Sequence, residues 1–304
     1  MRLVLCAVAF LAIILPAPTI AGSGASLPDP NYLDPVPTQN GPVNRQSTVK
    51  TPRSVQTVNP AVRNLVIIAA GQSNIVNIAP SLYTPTNPSA LDNMNVYDGA
   101  IYAAVDPLIG TSDQLSPSAG HPILRLADNL VTANLFDRVI IQPIGIGGTL
   151  IADWQTGFAS NRIRAALNRL KARGIVAGTN VTIIIIWGQG ESDALAGVSQ
   201  AAYTAGLTAV IADSRAAGFT GTWFVAKQTW QNGVASTAIQ NGQLAVINHG
   251  AGIWEGPNAD ALVGNACPGS SACRVADNIH WTDIGSAAYA SAWQTALHAF
   301  GAPF

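Results

Sequence analysis

The chain has 304 residues, of which 48% are hydrophobic and only 10% charged, and its formal net charge is -1. So low a charged share, against the usual ~25%, leaves the surface to Ser, Thr, Asn, Gln and Gly. The absence of a clustered basic field excludes nucleic acid and anionic membrane as the main partner, because both demand concentrated positive charge.

At the amino terminus Arg2 precedes an apolar run over 3–15, then Pro16 and Pro18, then small residues between Ala21 and Ala25. This basic, apolar, small-residue order predicts a secretory signal peptide over 1–25, and the run is shorter than the ~20 residues that span a bilayer. A secreted or periplasmic protein is the consequence. Residues 26–62 are rich in Pro, Asn, Thr and Gln and have no sustained period, which predicts an exposed, disordered linker. The catalytic domain is expected over 63–304.

Within that domain, short β-branched runs at 65–70, 94–97, 139–143, 181–187 and 223–226 predict strands. The stretches 122–135, 163–173, 199–217 and 237–248 have helical spacing, and a last helix over 283–300 closes the domain. Continuous apolar strands alternating with helices predict an α/β/α sandwich around a parallel sheet of about five strands. With Cys6 lost in the leader, Cys267 and Cys273 form an even pair that an oxidising compartment joins. Pro268 and Gly269 turn the chain between them.

In open sheets of this kind, ligands bind outside the carboxyl ends of the strands. Three strand ends carry unusual sequences: Gly71-Gln72-Ser73-Asn74, Gly145-Ile146-Gly147-Gly148-Thr149 and Gly188-Gln189-Gly190-Glu191-Ser192-Asp193. A fourth block, Asp277-Asn278-Ile279-His280-Trp281, stands before the last helix. A serine hydroxyl becomes a useful nucleophile when a base takes its proton and an acceptor holds that base in one tautomer. Ser73 is the candidate nucleophile, with Gly71 allowing a sharp turn. His280 is the base, since His121, His249 and His298 all fall at or near helix ends. Asp277, three residues before His280, is the preferred acid. Asp283 competes but sits where an acid caps a helix, and Glu191 is a third possibility. Donors for an oxyanion are the backbone N–H groups of Ser73 and Gly147 and the side-chain amide of Gln189. Gln72, Gly148, Glu191, Trp154 and Trp281 are the expected substrate contacts.

These four blocks resemble the SGNH hydrolases, and within them the sialate O-acetylesterase and carbohydrate esterase family 6 group, which includes acetyl xylan esterases. The resemblance runs from Leu65 to Phe300. It implies a flavodoxin-like three-layer domain, removal of acetyl groups from sugars, and no metal or cofactor. Relatives usually carry His where Gly188 stands. The superfamily's third-block asparagine is also absent, and Gln189 takes its place, as in this subgroup.

Other chemistries fit less well. Ile75 stands where a nucleophile elbow needs its second glycine, which disfavours an α/β-hydrolase. Gly145-x-Gly147 lacks the third glycine of a dinucleotide fingerprint at Leu150, and no His or Cys cluster has zinc-ligand spacing. The remaining readings are hydrolysis of O-acetyl esters on a saccharide, transfer of the acetyl group to a sugar hydroxyl by the same triad, and a catalytically silent glycan-binding domain.

Overall fold

A strand buried on both faces must be apolar at every position, and β1 (Asn64–Gly71) is buried throughout. Its alternate side chains divide between two layers. Leu65, Ile67 and Ala69 enter one apolar cluster, whereas Val66, Ile68 and Ala70 enter the other. The computed structural model describes residues 50–112 and 119–304, together with 33, 36, 37, 40 and 43. The expected signal peptide over 1–25 lies outside these described residues.

After β1 come β2 (Leu91–Met94), β3 (Ile101–Ala103), α1 (Pro122–Thr132), β4 (Arg138–Pro143), α2 (Ile151–Gln155), α3 (Arg162–Ala172) and β5 (Val181–Gly188). The chain continues through α4 (Glu191–Leu195), α5 (Gln200–Ala216), β6 (Thr222–Lys227), α6 (Thr237–Ala245), β7 (Ile253–Asn258) and α7 (Asp283–Phe300). Among the described residues the sheet has seven strands in the order β3-β2-β4-β1-β5-β6-β7, so the expectation of about five is corrected. All pairings are parallel except that between β2 and β3. Both added strands, β3 and β7, lie at edges, and the strand expected over 94–97 is found three residues earlier, as Leu91–Met94. β7 contains Gly256 and Pro257, which argue against a strand in sequence but are tolerated at a sheet edge. Residues of α3, α5 and α6, among them Ile163, Leu207 and Ile239, cover one face. Residues of α1 and α7, among them Ile123 and Trp293, cover the other. This is the three-layer sandwich that the alternation predicts.

The expected linker needs a correction where it is described. Residues 50–62 lie at the surface but are tied to the domain. Arg53 meets Asp92 of β2 at 2.5 Å, and Arg138 meets the other oxygen of that carboxylate at 2.6 Å. Asp92 is buried, and a buried carboxylate needs such partners. Thr51 also accepts a backbone hydrogen bond from Ala103 at 2.9 Å. Composition registers the polarity of this stretch but not its partners.

β1 lies between β4 and β5, so the turns after these three strands converge at one edge of the sheet. The approach of β1 to β5 is close there. Gly71 pairs with Gly188, has φ +135°, and a Cβ on it would lie 2.0 Å from the Gly188 carbonyl oxygen. Gly71→Ala is therefore expected to cost more than ~3 kcal/mol, combining backbone strain with steric overlap. A urea unfolding midpoint within error of the wild type would contradict this account.

Candidate active site

The extended chain of β1 stops at Gly71 and turns sharply, which places Ser73 in a short 3-10 turn, Ser73–Ile75. Its hydroxyl Oγ lies 3.0 Å from His280 Nε2, although 207 residues separate them. The other ring nitrogen, Nδ1, lies 2.7 Å from Asp277 Oδ2. A carboxylate at Nδ1 keeps the proton there and leaves Nε2 to accept from the serine. The second oxygen of Asp277 accepts the backbone N–H groups of Ile279 at 2.8 Å and His280 at 3.0 Å. Burial alone would raise the Asp277 carboxyl, but the N–H groups of His280 and Ile279 and the His280 ring hold it below the usual carboxylate range.

The two competing acids are employed elsewhere. Asp283 begins α7 and accepts the Ser81 N–H at 3.0 Å. Glu191 is buried, and its Oε1 accepts from Asn74 Nδ2 at 2.8 Å and Gln228 Nε2 at 3.0 Å. Two of the other histidines are engaged too: His121 accepts the Ile123 N–H at the start of α1, and His249 stacks on Trp254.

The loop carrying His280 is gripped from behind. The Ile279 carbonyl accepts from Asn74 Nδ2 at 3.1 Å and from the Arg274 guanidinium. Arg274 also donates to the carbonyls of Leu262 at 3.0 Å and Ala259 at 3.1 Å, and it stacks 4.1 Å over the Trp281 ring. Trp281 Nε1 returns to the Asn74 carbonyl at 3.0 Å. Sequence reasoning missed Asn74, Arg274 and Gln228. One signal for Arg274 was available: it is one of only 15 basic residues and stands between Cys273 and Asp277. The two cysteines form a disulfide.

The expected anion-binding donors fare unequally. The Ser73 N–H makes no hydrogen bond to a described residue. The Gly147 N–H is engaged by Ser112 Oγ at 2.8 Å, and the Gly147 carbonyl accepts from Asn40 Nδ2 at 2.8 Å. The Gln189 amide is spent inside the fold on Asp193, on the Thr149 carbonyl at 2.8 Å and on Gln72 Oε1 at 3.1 Å. It is a buried brace, which corrects its expected role as an oxyanion donor.

The expected substrate contacts also divide. Gly148 lies exposed in a turn with φ +67°. Gln72 is nearly covered, with its Oε1 accepting from Gly190 N at 3.3 Å and Ser192 N at 3.2 Å. Trp154 and Trp281 are core residues, only 2% and 0% exposed. Trp154 donates to Thr149 Oγ1 at 2.9 Å and packs edge-on against Trp187. Glu191, Trp154 and Trp281 thus support the site from within and are corrected as substrate contacts. The departure at Gly188 has a steric reason. A Cβ there would lie 2.8 Å from Tyr289 Oη and 2.9 Å from Gln228 Oε1, two groups hydrogen-bonded to each other at 2.5 Å.

Residues 63–226 match the family model for carbohydrate esterase, sialic acid-specific acetylesterase. A search of curated protein sequences gives no match. Among solved structures, an Arabidopsis thaliana protein is similar at 17% identity and a TM-score of 0.59, over 78% of this chain and 99% of its own. A carbohydrate acetylesterase from Xanthomonas citri has 14% identity and a TM-score of 0.46, over 77% of this chain and 56% of its own. A Bacillus subtilis protein has 15% identity and a TM-score of 0.47, over 80% of this chain and 59% of its own. At these identities the Arabidopsis protein supports the fold.

Burial pushes the Glu191 carboxyl up to about 7. Between the ordinary carboxylate pKa and that value, the folded protein holds a proton that the unfolded chain has released. Stability is therefore greatest at the acid end of this window and falls as pH rises through about 7. Glu191→Gln keeps an acceptor for Asn74 and Gln228 and should flatten the fall in unfolding midpoint between about pH 5 and 7. Some slope will remain, because burial also raises Asp106 to about 7 and Asp193 to about 6. A midpoint profile parallel to the wild type would contradict the assignment to Glu191.

Proposed function

The chain belongs to the sialic acid-specific acetylesterase family of carbohydrate esterases, and from that premise we propose that it hydrolyses O-acetyl esters of sugars through an acyl-enzyme on Ser73. Family membership makes it a carboxylic ester hydrolase acting on carbohydrates. The choice of an acyl-enzyme mechanism is supported by one observation above all. Ser73 Oγ, the His280 ring and the Asp277 carboxylate form an unbroken chain with links of 3.0 and 2.7 Å, within the reach that proton transfer requires.

In the proposed reaction, Ser73 Oγ bonds to the acetyl carbonyl carbon while its proton passes to His280 Nε2. Asp277 stabilises the imidazolium that results. The negative oxygen of the tetrahedral intermediate faces the Ser73 N–H and the Gly147–Gly148 turn. The bond from carbon to the sugar oxygen then breaks, and His280 returns its proton to that oxygen. Water repeats the sequence on the acetyl-serine and releases acetate. Gly147 must exchange its Ser112 partner to donate, or leave the second donor's part to another N–H of the turn.

Ser73→Ala and His280→Ala are each expected to lower kcat/KM for p-nitrophenyl acetate by at least ~10³-fold. Wild-type turnover by Ser73→Ala would end the proposal. The joined Cys267 and Cys273 and the leader-like residues 1–25 support export to an oxidising compartment. Expression with residues 1–25 intact should yield, outside the cytoplasm, a chain shortened near Ala25. Full-length protein retained in the cytoplasm would refute export.

A further inference from the structure

Only two of the seven tryptophans present any ring surface, since Trp154, Trp187, Trp223, Trp281 and Trp293 are buried. Trp254 and Trp230 are partly exposed. Trp254 lies near the amino end of β7, and its ring is stacked under His249 at 3.7 Å with Phe300 edge-on. His249 already occupies one of its faces, and Trp254 stands at the wrong end of its strand. Trp230 follows the carboxyl end of β6, on the same edge of the sheet as Ser73. Its Nε1 donates to the Asn278 carbonyl at 3.0 Å, in the turn between Asp277 and His280.

The segment bearing Trp230 is built to hold still. Buried Asp260 accepts the Thr229 N–H at 2.7 Å, the Thr229 hydroxyl at 2.6 Å, the Trp230 N–H at 2.9 Å and Gln240 Nε2 at 2.7 Å. The one polar group of the indole is already used, so what remains to offer is an apolar π face. A pyranose ring has a matching flat face of C–H bonds, with its hydroxyls directed outward from the ring edge. Asn278 is exposed beside the indole and offers amide groups to such hydroxyls.

The chemistry fixes where the sugar must be. Its leaving oxygen has to come within hydrogen-bond reach of His280 Nε2 to receive the proton. The ring attached to that oxygen is thereby brought near the 277–280 turn, to which Trp230 is joined. We propose that Trp230 is the platform on which the sugar ring of the acetylated substrate stacks, taking the part that Trp154 and Trp281 cannot play from the core. The proposal rests on the esterase reading above.

The test compares glucose pentaacetate with ethyl acetate, which presents the same acyl group without a ring. Trp230→Ala and Trp230→Leu should each raise KM for the sugar ester about tenfold and leave kcat/KM for ethyl acetate within about twofold of wild type. Trp230→Phe, which keeps a ring but loses the N–H, should retain most of the sugar affinity. If Trp230→Phe is as impaired as Trp230→Leu, or if both esters suffer equally, the residue merely anchors the Asn278 carbonyl and the platform is refuted. Should the alanine variant not fold, the Phe and Leu pair decides alone. A wild type that cleaves ethyl acetate as efficiently as glucose pentaacetate also overturns the platform and leaves the esterase intact. A wild type that cleaves no ester fails the esterase reading itself.

Discussion

The site depends on one bridge: the Asn74 side-chain amide donating to the Ile279 carbonyl. Asn74 is the next residue after Ser73, and Ile279 immediately precedes His280, so this contact ties the turn of the nucleophile to the loop of the base. A single neutral hydrogen bond is worth only ~1 kcal/mol net, too little to hold two distant loops in register. The structure supplies redundancy. Trp281 returns a hydrogen bond to the Asn74 carbonyl, and Arg274 grips the same Ile279 oxygen while lying over the Trp281 ring. Breaking one member would leave buried polar groups unpaired, at ~1–3 kcal/mol each, which makes the cluster stiffer than its individual bonds suggest.

Two carboxyl groups flank this bridge, and their surroundings assign them opposite tasks. Asp277 lies partly in solvent and accepts two backbone N–H groups and the imidazole, conditions that favour the charged form. Glu191 is enclosed, with one oxygen accepting two amides and the other unpaired among the described residues. Burial favours its neutral form. Only the carboxyl kept ionised can stabilise an imidazolium, so environment, more than sequence proximity, separates acid from brace. Arg274 completes the arrangement as a buried cation whose hydrogen bonds end on backbone carbonyls, which orient the loop without neutralising Asp277.

How far the sequence could be read follows from the same physics. The central strands and the long helices were legible, because two-sided burial and the 3.6-residue period write themselves into side-chain type. The edge strands were not, since β3 has only three residues and β7 carries Gly256 and Pro257. Ser73, His280 and Asp277 were legible as a set because a serine just after a strand end needs a base and an acid, and His280 and Asp277 stand three residues apart in the block before the last helix. The outward or inward sense of a side chain was illegible. Trp154 and Trp281 adjoin functional blocks because their indole N–H groups brace those blocks from within, and adjacency in sequence cannot distinguish a brace from a wall. Gln189 was misjudged for a similar reason. The sequence reveals an amide, whereas the geometry reveals that Asp193 and Thr149 have already claimed it.

The disulfide illustrates how a small local constraint can serve a distant bond. Closing a loop between cysteines six residues apart removes little chain entropy, giving ~2 kcal/mol on a model in which longer loops gain more. Its importance is therefore positional. The Cys273 backbone accepts the Thr282 N–H at 3.0 Å, and a Cβ on Gly285 would lie 1.8 Å from the Cys273 carbonyl oxygen. Thr282 caps α7, so the clasp presses the entry of the histidine loop against its exit, with Arg274 next in sequence. A loop closed at its base and gripped at the Ile279 carbonyl has few ways left to move His280. The 3.0 Å approach of its ring to Ser73 is thus set by the frame around the loop as much as by the two residues that meet.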